Sequence, residues 1–247
     1  MKRTVSAIAV LVVIAAAGLR ASGPAATRLA GTASWEKYDD YFRKYTKRFF
    51  GVGFDWRFFK AQAIVESNLR PDVVSPVGAR GMMQVMPATY AEIRRAHSEF
   101  GDINHPEWNI AAGISYSRDQ WVYWEKAADE SFQRHFTLGS YNAGRGTMMR
   151  AQKVAADQKL DPRRWPSIEA VAAKVGRWRH TETLPYVAAV FTNLEAMDRQ
   201  GRTDGPTVSL QDPSGASLAD QIKKIKALQS IKDGAKSVFG KLRKPFK

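Results

Sequence analysis

Cysteine is absent from this chain of 247 residues, and histidine occurs only four times. Without thiols the protein has no disulfides, no thiolate metal site, no cysteine nucleophile and no acylated cysteine for a lipoprotein anchor. The sequence contains no cluster of histidines or aspartates with metal-ligand spacing, so no metal centre is predicted. It also lacks a convincing run of alternating apolar and polar residues and an internal repeat, so neither strands nor a repeat architecture is predicted.

The composition is that of a basic globular protein. Hydrophobic residues make up 44% of the chain and aromatic residues 11%, which suits a single well-packed core. A net charge of +14 points to polyanionic neighbours, which are nucleic acid, anionic lipid or an anionic cell wall. The basic residues are spread along the chain and no nucleic-acid-binding motif appears, so nucleic acid is not predicted as a partner.

The N-terminus has the pattern of an export signal. Lys2 and Arg3 precede an uncharged, mostly apolar stretch from Val5 to Leu19. About fifteen residues are short for a membrane span and suit the core of a signal peptide. Residues 1–26 are therefore predicted to be a signal peptide, or an uncleaved signal anchor in the inner membrane, because no single cleavage site stands out. Either way, the rest of the chain is predicted to be periplasmic or in the cell envelope; a buried N-terminal helix is the remaining alternative.

The centre of the chain, residues 33–200, is predicted to be one mostly α domain. Apolar residues recur at intervals of three and four from Trp35 to Phe49, as on one face of a helix. A second helix is predicted to start at an N-cap Asp55, to run through Glu66 and to be closed by Arg70 and Pro71. Further helices are predicted at residues 88–100, 106–127, 132–141, 168–175 and 185–197.

The C-terminal part has a different composition. Residues 201–216 are rich in turn-forming residues and are predicted to be a linker. Residues 217–247 form a basic tail that places Leu218, Ile222 and Ile225 on one helical face, with lysines elsewhere. Two interpretations stay open: the tail is a helix docked on the domain, or an amphipathic helix on an anionic membrane or wall surface.

Glu66 is an unusual residue for its helix, because its neighbours Phe59, Ile64 and Val65 are apolar. Burial raises the pKa of a carboxyl group, and so does the negative end of a helix dipole. Both effects favour a protonated Glu66 near neutral pH, which is the state of a general acid. The alternative is an ion pair with Arg70, four residues further on, which would lower the pKa instead.

The sequence that follows carries ordered motifs. Residues 66–90 read ESNLRPDVVSPVGARGMMQVMPATY, and further on come NIAAGISY at 109–116, SYNAG at 140–144 and ETLPYV at 182–187. Together they resemble the soluble lytic transglycosylases, goose-lysozyme-like enzymes of peptidoglycan with an SLT domain, of the glycoside hydrolase family 23 type. The resemblance covers roughly residues 54–196. Met82 stands where that family usually has leucine and Ser140 where alanine is common, and both changes are modest in size.

The resemblance implies a lysozyme-like, goose-type helical domain in which Glu66 is both the catalytic acid and the catalytic base. The reaction that the resemblance implies needs no metal and no cofactor. The positions that match glycan-binding positions of the family are Ser75, Gln84, Met86, Tyr141, Asn142, Glu182 and Tyr186. Among these, Tyr141 and Tyr186 match tyrosines near the acid, and Met86 matches a residue that contacts sugar through its backbone.

The chemistry implied by the resemblance uses one carboxylate, whereas ordinary glycosidases use two. Glu66 would protonate the β-1,4 glycosidic oxygen between N-acetylmuramic acid and N-acetylglucosamine, while the muramyl N-acetyl group stabilises the developing cation. The ionised Glu66 would then remove the proton from the muramyl 6-hydroxyl, whose attack on C1 gives a 1,6-anhydro end. A hydrolytic muramidase of the same fold and a non-catalytic peptidoglycan-binding module are the alternatives that the sequence leaves open.

Overall fold

The structure is a computed structural model that describes residues 36–200, residue 210, residues 215–224 and residue 227. The predicted signal at 1–26, most of the linker at 201–216 and most of the tail at 217–247 lie outside the described residues. Within residues 36–200 the chain forms eight α-helices: α1 Asp39–Phe50, α2 Arg57–Ser67, α3 Pro87–Ala96, α4 Pro106–Ala127, α5 Gln133–Ala143, α6 Arg145–Asp157, α7 Trp165–Val171 and α8 His180–Gln200. The same residues contain two short 3₁₀ helices, Glu130–Phe132 and Ala172–Lys174, and two isolated bridges, 74 with 80 and 80 with 85. The prediction of a mostly α domain is confirmed.

Several predicted helix ends are wrong. The helix predicted at 88–100 ends at Ala96, where His97 leaves the helical conformation and stacks on Phe100 with ring centroids 5.0 Å apart. The helix with Glu66 ends at Ser67 instead of Arg70, because Asn68 and Leu69 both adopt left-handed conformations with φ of 56° and 58°. The last helix, α8, begins at His180 and contains Pro185, which was predicted to be its first residue.

The α2 helix lies in the middle of the domain. It packs along α8 and also contacts α1, while the long α4 packs against α1 and α5. Every residue of α2 from Phe58 to Ser67 is buried. One buried ion pair fixes α2 to α1, since Lys60 Nζ lies 2.6 Å from Asp39 Oδ1. A helix that is buried on all sides holds its side chains in fixed positions, which matters for Glu66 in its last turn.

The first turns of the basic tail are docked on the domain. Residues 218–224 are helical, and Leu218 and Ile222 are buried as part of the hydrophobic core. The backbone N–H of Leu210 donates a hydrogen bond of 2.9 Å to the carbonyl oxygen of Val65. That carbonyl lies in the last turn of α2, where helix oxygens lack partners within the helix. For these residues the structure supports the docking interpretation, and residues 228–247 lie outside the described part.

His135 is held in an apolar position that makes stability depend on pH. Its ring lies 4.3 Å from Phe191 and 5.7 Å from Trp165 between centroids, and its Nδ1 is buried without a hydrogen-bond partner among the described residues. Burial lowers the pKa of His135 from 6.5 to about 4. Between about pH 4 and pH 6.5, His135 is therefore protonated in the unfolded chain and neutral in the folded state. The contribution of His135 to stability falls as the pH drops from about 6.5 to about 4.

We expect His135→Phe to remove this loss. Phenylalanine fills the same aromatic stack and cannot be protonated. The free energy of unfolding of the variant, relative to that of the wild type, should therefore be higher at pH 5 than at pH 8 by on the order of 1 kcal/mol. Urea unfolding of both proteins at the two pH values measures the difference. All other titrating groups are shared, so they cancel. If the free energies of unfolding of the two proteins differ by the same amount at pH 5 and at pH 8, the low pKa of His135 is contradicted.

Candidate active site

Glu66 lies in the last turn of α2 and is 4% exposed. The neighbouring Ser67 fixes this end of the helix, because its hydroxyl donates to the carbonyl oxygens of Ala63, at 3.2 Å, and of Met82, at 2.9 Å. The second bond ties α2 to the long connection between α2 and α3. Glu66, the acid, is therefore followed directly by Ser67, whose hydrogen bonds fix the end of the same helix.

Burial is the dominant influence on Glu66. It raises the pKa of the carboxyl group from 4.5 to about 8, against a lowering effect of the hydrogen bond from Tyr186. Within the described part Glu66 forms no ion pair, and the Nε of Arg70 donates to the carbonyl oxygen of Ser67 at 3.3 Å. The ion pair between Glu66 and Arg70, which was the alternative interpretation of the sequence, is thus not formed. The carboxyl group is protonated at neutral pH, as expected for a general acid.

Two buried tyrosines face this acid. The Tyr186 hydroxyl donates to Glu66 Oε1 at 2.6 Å and accepts a hydrogen bond of 3.1 Å from Gln62 Nε2. The Tyr141 hydroxyl donates to the carbonyl oxygen of Met83 at 2.7 Å. Burial, with the nearby Glu66 charge as the second cause, raises the pKa of both tyrosines well above 10. Both hydroxyls therefore stay protonated and can act only as neutral hydrogen-bond partners.

The connection between α2 and α3 is shaped by Asn109 of α4. Its side chain accepts from the N–H of Met83 at 2.8 Å and donates to the carbonyl oxygens of Arg80, at 2.8 Å, and Ile103, at 3.1 Å. Gly81 passes so close that a Cβ there would lie 2.5 Å from Asn109 Nδ2, and its φ is +72°. Only glycine fits at this point. The position of the Met83 carbonyl, and with it that of Tyr141, follows from this packing.

Gln84 also adopts a left-handed conformation, with φ of 46°. Its Nε2 donates to the carbonyl oxygens of Val73, at 3.2 Å, and Gly81, at 2.8 Å, and these bonds hold the connection in its shape. Ser75 closes a turn in the same segment, because its hydroxyl accepts from the N–H of Ala79 at 3.0 Å. Met86 is half-buried immediately before α3. Three predicted site residues thus share one connection.

The last two predicted site residues flank the tyrosines. Asn142 is half-buried and follows Tyr141 in α5. Glu182 is half-buried in the first turn of α8, one turn before Tyr186, and is paired with Arg179. Burial raises the pKa of Glu182, and Arg179 opposes that effect. Of the seven predicted partners, then, the structure brings Tyr141 and Tyr186 to Glu66, and it distributes the others over the surrounding segments.

Comparison with known proteins agrees with the motifs. Residues 40–162 match the family described as the transglycosylase SLT domain. Residues 40–162 of this chain belong to this family. Similar proteins include membrane-bound lytic murein transglycosylase F of Vibrio campbellii, 32% identical over 133 residues that make up 54% of this chain and 23% of that protein. The protein of the same name from Desulfosudis oleivorans is 33% identical over 159 residues, 60% of this chain and 34% of that protein.

Among solved structures, the 70 kDa soluble lytic transglycosylase of Escherichia coli matches with a TM-score of 0.45 and 23% identity, over 68% of this chain and 25% of that one. The SLT-domain protein described here spans about a quarter to a third of the length of the two curated relatives. The prediction of a mostly helical domain of this family is confirmed by the family match and by the helices of the described residues.

Sequence reasoning missed two residues of this SLT-domain protein and one explanation. Gln62 and Asn109 received no role, although a glutamine one turn before Glu66 in an apolar stretch was a visible signal. The departure at Ser140 has a structural reason, because its hydroxyl accepts a buried hydrogen bond of 2.8 Å from Trp124 Nε1. An alanine there would leave the indole N–H without this acceptor.

Gly81 offers a test of the packing around Asn109. We expect Gly81→Ala to lower stability by roughly 2–3 kcal/mol, because the Cβ collides with Asn109 and the φ is strained for alanine. Gly78→Ala is the matched control: its φ of +86° is strained too, but nothing lies within 4 Å of the added Cβ. Thermal melting of both variants separates collision from strain. Equal losses in the two variants would show that the contact with Asn109 does not matter.

Proposed function

We propose that this protein is a peptidoglycan lytic transglycosylase that cleaves the β-1,4 bond between N-acetylmuramic acid and N-acetylglucosamine and leaves 1,6-anhydromuramyl ends. The single observation that carries the proposal is the buried Glu66, whose pKa of about 8 is set by burial and one tyrosine hydrogen bond. Membership in the SLT family and the printed names of the relatives support the same substrate class.

In the first half of the reaction the protonated Glu66 gives its proton to the glycosidic oxygen as the bond to C1 breaks. The departing N-acetylglucosamine leaves with that proton, and the muramyl N-acetyl group stabilises the positive charge at C1. The Tyr186 hydroxyl then donates to an ionised carboxylate, and such a charge-assisted bond is stronger than the bond to the neutral acid. Tyr186 thus favours the state in which Glu66 has lost its proton.

In the second half the ionised Glu66 takes the proton of the muramyl 6-hydroxyl, whose oxygen attacks C1 and closes the anhydro ring. A carboxylate with a pKa of about 8 is a stronger base than an ordinary glutamate, so the same burial supports both steps. We assign glycan binding to Ser75, Gln84, Met86, Tyr141, Asn142, Glu182 and Tyr186, as the family pattern implies.

Hydrolases of this kind usually place a second carboxylate 5–10 Å from the acid, about the span of an attacking group. The acceptor that we propose, the muramyl 6-hydroxyl, belongs to the substrate itself, so the reaction needs no second carboxylate to activate a water.

Digestion of purified sacculi followed by mass spectrometry tests the proposal. Anhydromuropeptides are the expected products. Reducing ends in their place would identify a hydrolytic muramidase, and binding without any released product would identify a peptidoglycan-binding module. Both of these results would overturn the proposal.

We also propose that the protein acts in the cell envelope, exported through residues 1–26, and that lysines of the tail beyond its docked turns contact an anionic membrane or wall surface. The charge pattern of the sequence supports this, since each basic residue near such a surface contributes about 1 kcal/mol of attraction. Among the described residues, no helix is both long enough and apolar enough to span a membrane.

A further inference from the structure

Gln62 lies on α2 one turn before Glu66 and is fully buried. Its Nε2 donates to the Tyr186 hydroxyl at 3.1 Å, and that hydroxyl lies 2.6 Å from Glu66 Oε1. The three side chains therefore form a chain of two hydrogen bonds between α2 and α8. The other amide atom of Gln62, Oε1, is buried without a partner among the described residues.

The direction of this chain follows from the donors that each group has. An amide nitrogen can only donate, and a hydroxyl has one proton to give. Gln62 Nε2 occupies one acceptor position on the Tyr186 oxygen, and the Tyr186 proton points towards Glu66. Oε1 of Glu66 is then an acceptor. The better acceptor of a neutral carboxyl group is its carbonyl oxygen, so this arrangement favours the carboxyl proton on the other oxygen, Oε2.

We propose that Gln62 is a positioning residue that aims the Tyr186 proton at Oε1 of Glu66 and thereby reserves Oε2 as the oxygen that gives and later takes the reacting proton. The inference rests on the proposed function for its chemical step, and on the two hydrogen bonds alone for its geometry. A proton fixed on one oxygen is presented to the substrate in one orientation, which is the condition for efficient transfer.

The surroundings of Glu66 make the effect measurable. Two titratable side chains face it: Tyr141 from α5 and Tyr186 from α8, with Tyr116 of α4 packed edge-on against Tyr141 at 5.3 Å between ring centroids. No charged side chain of the described residues is among the influences on its pKa. A change in the direction of the Tyr186 hydroxyl is therefore not masked by a neighbouring charge.

Gln62→Met is the variant that tests the proposal, because methionine has a similar length and volume but no donor. Released from Gln62, the Tyr186 hydroxyl can turn and accept from Glu66, so the ionised carboxylate is less well stabilised. We expect the alkaline limb of kcat/KM for release of anhydro products from soluble glycan strands to move up by about half a pH unit or more. We also expect kcat to fall about tenfold and KM to stay unchanged.

Tyr186→Phe and the double variant complete a cycle. Tyr186→Phe should move the alkaline limb in the same direction, and Gln62→Met should move it no further in the Tyr186→Phe background, since the two residues act through one bond. A purely structural role of Gln62 would lower the melting temperature and leave the limb in place. An unmoved limb in Gln62→Met, or additive movements in the double variant, would overturn the proposal.

Direct titration of the Glu66 carboxyl group by carbon-13 NMR gives a second measurement that needs no turnover. It distinguishes failure of this inference from failure of the proposed function: a protein that releases no anhydro products can still show the rise in the Glu66 pKa in Gln62→Met. If Gln62→Met does not fold, the same titration is measured on Gln62→Asn, which keeps the amide group but shortens the side chain by one methylene. An unchanged Glu66 pKa in a folded variant without the bond to Tyr186 contradicts the proposal.

Discussion

Glu66→Gln should abolish the release of anhydromuropeptides while leaving a folded protein. Glutamine keeps the size and the hydrogen-bonding oxygen of glutamate but has no proton to transfer and cannot act as the later base. Loss of acid-base catalysis typically costs about 10²–10⁴-fold, and we expect the upper end or beyond because one carboxyl group serves both half-reactions. Product release from sacculi, measured by mass spectrometry, is the readout.

The same substitution should raise stability, and more so at high pH. The folded-state pKa of Glu66 lies at about 8, above its usual 4.5, so the folded state binds more protons than the unfolded chain between these values. Stability is therefore lost as the pH rises from about 4.5 to about 8, and Glu66→Gln should recover on the order of 2 kcal/mol at pH 8 and less at pH 5. Binding of glycan strands should persist.

Glu125→Gln is the matched control, because Glu125 is an exposed acid on α4 and takes no part in the hydrogen bonds around Glu66. It should leave product release unchanged. Near-normal release by a folded Glu66→Gln variant would show that another group is the acid.

Removal of the docked C-terminal segment should strongly destabilise the domain. A chain that stops after residue 209 loses the Leu210 bond to the Val65 carbonyl and the buried side chains of Leu218 and Ile222. Burial of one such side chain contributes about 1.5–3 kcal/mol, so we expect a loss of several kcal/mol and a drop in activity, since Val65 precedes Glu66.

A chain that stops after residue 227 is the matched control, because it keeps the docked turns and omits the lysine-rich remainder. Its urea unfolding should resemble that of the full chain. Equal stability of the two truncated chains would show that the docked segment contributes nothing, and the amphipathic stripe would then be available for another surface.

The sequence predicted those features that depend on the residues of a single helix. The bounds of α4 agree with the predicted 106–127, and the burial of Glu66 agrees with its apolar neighbours, whereas those neighbours alone left open whether Glu66 is protonated or paired with Arg70. In contrast, α6 was missed, because its buried positions Met148, Ala151 and Ala155 give little contrast to the polar residues between them. Alanine is buried as readily as it is exposed, so a face built from it has a weak periodic pattern.

The roles of Gln62 and Asn109 could not be predicted, because each depends on a partner remote in the chain. Gln62 meets Tyr186 across 124 residues, and Asn109 meets Met83 across 26. The positions of Tyr141 and Tyr186 near the acid were predicted only through the family resemblance, since periodicity alone favoured a core role for Tyr186. Both descriptions turned out to be compatible: Tyr186 is fully buried and bonded to Glu66.

Burial and one hydrogen bond from Tyr186 set the pKa of Glu66, and this has a consequence for how ionic strength acts on the proposed reaction. Dissolved ions screen interactions between charges, but they have little effect on burial or on a short hydrogen bond. Added salt should therefore weaken the attraction between this chain of net charge +14 and an anionic wall, which raises KM. The pH at which Glu66 titrates should stay where it is, so that capture of the wall and the chemistry performed on it respond to salt independently.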